Sequence, residues 1–139
     1  MIVCDTSGIL AAIDRTQDWH IQAKAAIESE QGPFLLSPFV LAELDYLLAK
    51  HIGHDAAKAF LAQVVSGAYR LEQFEASDVA AALQVIEKYK DLSIGLADAS
   101  IVVLAARHEV TRILTLDERH FRAVRSMSGK PFQIFPRSS

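Results

Sequence analysis

Short apolar runs alternate with helical stretches over nearly the whole chain, and no other feature narrows its possible folds so much. Residues 1–4, 34–36, 69–71, 112–116 and 132–135 read as short strands. Helical stretches are expected at residues 6–13, 17–29, 38–52, 55–66, 78–88 and 97–108. The punctuation fits. Gly32-Pro33 marks a turn, and Ser37-Pro38 places a favoured cap just before a proline at the first helical position, where its missing N–H costs nothing. Gly53 stops that helix, and Ser77 is expected to cap the helix over 78–88. Strands that alternate with helices build a parallel sheet covered by helices on both faces, an α/β fold.

The chain has 139 residues, 51% of them hydrophobic, with a net charge of −3. That suits one soluble domain over residues 1–139, without internal repeat or linker. Such a length buries roughly 68–70% of the unfolded surface and needs no disulfide or structural metal. The single cysteine, Cys4, excludes a zinc ribbon, a redox pair and an internal disulfide; in a buried strand it is an inert apolar residue. Met1-Ile2-Val3-Cys4-Asp5 lacks the basic segment of a signal peptide. No run of about 18 apolar residues could span a bilayer. A cytoplasmic location, with no membrane contact, is expected. The charge is uneven. Residues 107–139 carry seven basic and three acidic side chains, which leaves the rest of the chain at −7. Such a basic end can dock a polyanion, or simply be a solvated face.

Carboxylates matter where burial is expected, because an unpaired buried charge is expensive. Asp5 follows the first apolar strand, at the edge where open parallel sheets bind ligands; it would equally suit a helix N-cap. Asp98 falls in line with Ile101, Val102 and Ala105, on the apolar face of its helix and in its first turn. Asp117 follows the strand ending Thr115-Leu116, where simple turn chemistry also explains an aspartate. Glu43 and Asp45 flank the stripe Val40, Leu41, Leu44, Leu47 and Leu48 on opposite sides, so periodicity does not choose between them. Carboxylates gathered at one sheet edge repel, and each is pushed toward protonation. A divalent cation removes that conflict. Oxygen ligands without cysteine or paired histidine favour Mg²⁺ or Mn²⁺ over zinc, and the matching chemistry is metal-assisted phosphodiester hydrolysis.

Four blocks carry a resemblance. They are Ile2-Val3-Cys4-Asp5-Thr6-Ser7, Ser37-Pro38-Phe39-Val40-Leu41-Ala42-Glu43-Leu44, Gly95-Leu96-Ala97-Asp98-Ala99-Ser100 and Leu114-Thr115-Leu116-Asp117-Glu118-Arg119-His120-Phe121. In order and spacing the chain resembles the PIN-domain ribonucleases, and within them the VapC-type toxins of toxin–antitoxin pairs. The resemblance implies a three-layer fold with a five-stranded parallel sheet in the order 3-2-1-4-5. It implies an acidic quartet of Asp5, Glu43, Asp98 and Asp117, choosing Glu43 over Asp45. Asp5 and Asp98 would be the most direct ligands of Mg²⁺, with Mn²⁺ as a substitute. Glu43 and Asp117 would support them, through water or at a second ion, and Thr6 and Thr115 would orient carboxylates or water. Asp91, in a segment often seen before the third acid, is expected to be peripheral.

The activity implied is that of an endoribonuclease acting on structured RNA, tRNA or rRNA, and leaving 5′-phosphate and 3′-hydroxyl ends. Arg119, Arg122 and Arg125 are candidates for holding the RNA backbone. The resemblance also implies a VapB-type antitoxin, with a homodimer or a toxin–antitoxin hetero-oligomer. The helical stretch over 55–83 could form part of the antitoxin's groove or simply belong to the core. His51 and His54 straddle Gly53 and are not expected to ligate a metal; His120, near Asp117, could touch RNA but is expected in a surface role. Trp19 and Tyr46 are expected to pack, Trp19 between the first two helices and Tyr46 against a neighbouring helix, although either could stack on a base. A phosphoaspartate protein fits poorly, since Asp5 is followed by Thr6-Ser7 rather than by a second acid. The alternative is a non-catalytic scaffold of the same fold that binds RNA or protein, against which the intact acidic set argues.

Overall fold

The computed structural model describes residues 1–137. Five parallel strands form one sheet in the order β3-β2-β1-β4-β5. They are β1 (Ile2–Cys4), β2 (Phe34–Leu36), β3 (Arg70–Leu71), β4 (Arg112–Leu114) and β5 (Gln133–Phe135). The middle strand explains the arrangement. Ile2, Val3 and Cys4 are all buried, as a continuous apolar run must be when helices cover both faces. Val3 registers with Leu35 on one side and Ile113 on the other. The thiol of Cys4 is pushed far up by its burial and stays neutral.

The helices are α1 (Thr6–Ile13), α2 (His20–Ser29), α3 (Pro38–His51), α4 (His54–Val65), α5 (Ala76–Lys88), α6 (Leu96–His108) and α7 (Glu118–Ala123). Right-handed crossovers place α1–α4 on one face, while the return through α5 and α6 covers the other. The packing agrees: α1 lies on α2 and α3, α3 on α4, and α5 on α6. Helix α6 is the most enclosed, buried without a break from Ala99 to Ala105. Phe60 and Phe121, from α4 and α7, are its largest fully buried counterparts elsewhere in the core.

Several expected boundaries shift for local reasons. Helix α2 starts at His20 rather than near residue 17, because Asp14 draws the preceding turn onto itself. Its Oδ1 accepts both the backbone N–H (3.0 Å) and the hydroxyl (2.7 Å) of Thr16. Helix α5 begins at Ala76, and Ser77 is not its cap. The Asp78 carboxylate reaches back to the Glu75 backbone N–H (2.8 Å) and fastens the helix two residues earlier. Ser37 does cap α3, accepting the Phe39 N–H at 3.2 Å, with Pro38 at the first helical position. Strand β4 ends at Leu114 instead of Leu116, since the Thr115 side chain turns away to bind Asp5.

Candidate active site

Strands β1 and β4 are neighbours at the point where the strand order reverses, so Asp5 and Thr115 leave the sheet side by side. Asp5 occupies the N-cap position of α1, yet its carboxylate does not cap that helix. Its Oδ2 instead accepts the hydroxyl protons of Thr115 (2.6 Å) and Ser7 (3.0 Å). The Ser7 hydroxyl accepts in turn from the Leu116 N–H (2.9 Å), and Thr115 accepts from the Asp117 N–H (2.9 Å). Two hydroxyls and two amides thereby lock the ends of two strands together. Asp5 is only 5% exposed, and burial pushes its carboxyl up to about 6. The charge of Asp98 adds to that rise, against the hydrogen bonds from Thr115 and Ser7.

Asp98 stands in the first turn of α6, the one acid of a helix end otherwise given to apolar packing. Its carboxyl is raised, first by burial and then by the charges of Asp117 and Glu43, while His120 opposes the shift. Asp117 caps α7, with Oδ1 accepting the His120 N–H at 3.2 Å. Glu43 is exposed on α3. The helices that carry Glu43 and Asp98 are tied by two buried hydroxyls. Ser100 donates to the Ala97 carbonyl (2.6 Å), so the 2.7 Å contact between Ser37 and Ser100 is donated by Ser37.

A cavity of 440 Å³ gathers these groups: Asp5, Thr6, Glu43, Asp98 and Asp117 all line it. Four acids from four separate stretches of chain thus face one space. The Thr6 hydroxyl oxygen is buried and has no hydrogen-bond partner among the described residues.

His120 overturns its expectation as a surface residue. Its Nδ1 lies 3.0 Å from Asp98 Oδ2 and 2.9 Å from Asp117 Oδ2, bridging the two acids. One turn of helix brings residues 117 and 120 to the same face, which is the signal that identifies it. One ligand atom each from Asp98, Asp117 and His120 lie within 4.8 Å of one another, close enough to share one cation. Ser7, adjacent to Thr6 and serving Asp5 directly, is a second polar group that carboxylate patterning misses.

The three candidate arginines separate. Arg119 lines a cavity adjoining the acids. Arg122 pairs with Glu118 at 3.3 Å and faces a different hollow with Phe132 and Gln133. Arg125 is exposed, and its backbone N–H donates to the Tyr89 hydroxyl at 3.0 Å. Asp45 is exposed on α3 outside the acidic cavity, and Asp91 is exposed in the short turn Lys90–Leu92. Trp19 and Tyr46 do not pack as expected. Trp19 is 37% exposed at the start of α2, and Tyr46 is 62% exposed on α3.

A family model described as the PIN domain matches residues 2–126. Over 135 residues the chain is 41% identical to Ribonuclease VapC26 of Mycobacterium tuberculosis, covering 97% of this chain and all of that protein. Among solved structures it is similar to VapC20 of Mycobacterium tuberculosis, a toxin described as cleaving the sarcin-ricin loop. That match has a TM-score of 0.79 at 25% identity, over 84% of this chain and 90% of the other. The fold is shared with a chain of the DNA-bound VapBC complex of Salmonella typhimurium, with a TM-score of 0.68 at 17% identity over 96% of this chain and 98% of that one.

Proposed function

The chain belongs to the PIN-domain family and, within it, to the VapC ribonuclease toxins, and on that premise we propose that it cuts structured RNA, tRNA or rRNA, in a Mg²⁺-dependent reaction. The observation that carries the reading is the cavity at the carboxyl edge of the sheet, where Asp5, Glu43, Asp98 and Asp117 converge. Such a group of acids repels a phosphate unless a cation is present. Its oxygen-rich donor set, with a single imidazole, suits a hard ion, Mg²⁺ or Mn²⁺.

Asp5, Asp98 and Asp117 are the residues that would hold the ion. When bound, a divalent cation lowers the pKa of a water and offsets the charge that builds on the phosphate. The chain's own groups do the rest. Thr115 and Ser7 fix one oxygen of Asp5, so the carboxylate is oriented before any ligand arrives. His120 holds the Asp98 and Asp117 side chains close together. Glu43, exposed at the rim, takes the proton of the attacking water. In-line attack on the phosphorus leaves a 5′-phosphate on one product and a 3′-hydroxyl on the other. Arg119 neutralises a neighbouring phosphate beside the acids. A VapB-type antitoxin is the expected partner, with the chain in a homodimer or a toxin–antitoxin hetero-oligomer.

Mapping by end sequencing the cuts that purified protein makes in total bacterial RNA tests this reading. Discrete cuts that need Mg²⁺ or Mn²⁺ and vanish in Asp5→Asn and Asp98→Asn variants are expected. Intact RNA after incubation with folded, antitoxin-free protein at several concentrations of both ions would overturn it.

A further inference from the structure

Beside the acidic cavity lies a second one of 380 Å³ that shares Asp117 with it. Trp19, Leu116 and Pro136 supply its apolar lining, and Glu118 and Arg119 its remaining charges. We infer that this cavity is a nucleobase subsite, in which the base next to the scissile phosphate stacks on Trp19 while Arg119 holds the adjoining phosphate. The inference rests on the ribonuclease reading and deepens it.

Trp19 is the only tryptophan in the chain, and tryptophan is highly buried on average. Here Trp19 is 37% exposed and borders the hollow next to the acids. The backbone that carries it is held from both sides. Asp14 gathers the Thr16 N–H and hydroxyl, His20 Nδ1 donates to the Ala11 carbonyl (2.8 Å), and the Trp19 carbonyl accepts the Ala23 N–H (2.9 Å). Backbone fixed in this way presents the ring at the hollow, where a base can stack on it. Arg119 complements the indole. Arg122 takes up Glu118, and among the described residues no carboxylate pairs with Arg119. The volume falls within the range of about 300–1,000 Å³ usual for small-ligand clefts. Asp117 joins the two cavities, so a nucleotide in the second hollow borders the first.

The sole tryptophan makes the test direct. Asp5→Asn protein with Mg²⁺, silenced for cutting, is titrated with a single-stranded RNA oligonucleotide and with an abasic ribose-phosphate chain of equal length. Trp19 fluorescence and the anisotropy of the labelled oligomers are read together. RNA should quench Trp19 saturably and the abasic chain should not. Trp19→Ala on the same background should weaken RNA binding about tenfold, the scale of one base–aromatic stack, and leave abasic binding unchanged. Trp19→Phe, which keeps a ring, should restore most of the loss and controls for folding. Arg119→Ala should weaken both oligomers alike and flatten the salt dependence. Tight RNA binding with an unmoved Trp19 signal and unchanged Trp19→Ala affinity overturns the subsite and leaves the ribonuclease reading standing. No binding of the RNA oligonucleotide to the silenced protein overturns the subsite, while the ribonuclease reading stands or falls on the cuts mapped in total RNA.

Discussion

At the scale of single residues, Asp5 shows how a site is prepared at the expense of the fold. Its carboxyl sits at about 6 when folded, against an ordinary value of 3.8. Ionising it is therefore harder in the native protein than in the unfolded chain. The penalty is absent below 3.8, grows as pH rises toward about 6, and stands in full above that. At neutral pH it amounts to about 3 kcal/mol. In metal-free protein, Asp5→Asn keeps the acceptor for Thr115 and removes the charge. Urea unfolding at neutral pH should then show the variant more stable by about 2–3 kcal/mol, with the gap closing near pH 4. A gap of equal size at both pH values would mean that the carboxyl is not strained by burial. Sequence reasoning places Asp5 at the sheet edge, but its alternative as a helix cap is resolved only by the Thr115 hydroxyl, 110 positions away in the chain. His120 is hidden for a different reason. Its partner Asp98 lies on another helix, and periodicity along one helix says nothing of what faces it.

Among the elements, β1 and β2 are legible because each is an unbroken apolar run, and the helix starts are legible where Ser37 and Pro38 act locally. What is not legible is contact between elements. The order of the strands enters through family resemblance, since five similar runs carry no label saying which neighbours which. The close approach of α1 to β4 is such a contact. A Cβ built on Gly8 would meet both the Leu114 side chain and its backbone oxygen at 2.7 Å. Only glycine lets α1 lie close enough for Ser7 to reach Asp5 and the Leu116 N–H. Gly8→Ala should gain about 1 kcal/mol of helix propensity but lose about 1–3 kcal/mol to overpacking against backbone that cannot yield. Chemical denaturation should show a net loss, and calorimetry a weaker Mg²⁺ affinity as Asp5 and Thr115 separate. Alanine at Gly95, where nothing lies within 4 Å, is the contrast and should leave the fold intact. If Gly8→Ala matched it, the packing of α1 on β4 would not be what sets the site.

For the molecule as a whole, the parallel sheet turns four distant acids into one repulsive centre. Asp5, Glu43, Asp98 and Asp117 come from the residue after β1, α3, α6 and the cap of α7, and the fold must hold them together against their own field. His120 and the hydroxyls of Ser7 and Thr115 offset part of that cost from within. The raised carboxyls of Asp5 and Asp98 show that a part remains. A bound cation would lower it further, and anything that binds the native state alone raises its stability by mass action, about 2.7 kcal/mol at a hundredfold excess over Kd. Thermal unfolding should therefore move up by several degrees as Mg²⁺ or Mn²⁺ is added, saturably, and fall back with EDTA. Asp98→Asn and Asp117→Asn should start from a higher melting temperature in EDTA, because repulsion is relieved, and respond less to the ions. Arg122→Ala, whose side chain faces Glu118 outside the cavity, should respond as the wild type does. Carboxylate variants that melt lower in EDTA yet respond fully to Mg²⁺ would place the cation elsewhere on the molecule, and would leave the acidic cavity as a structural network.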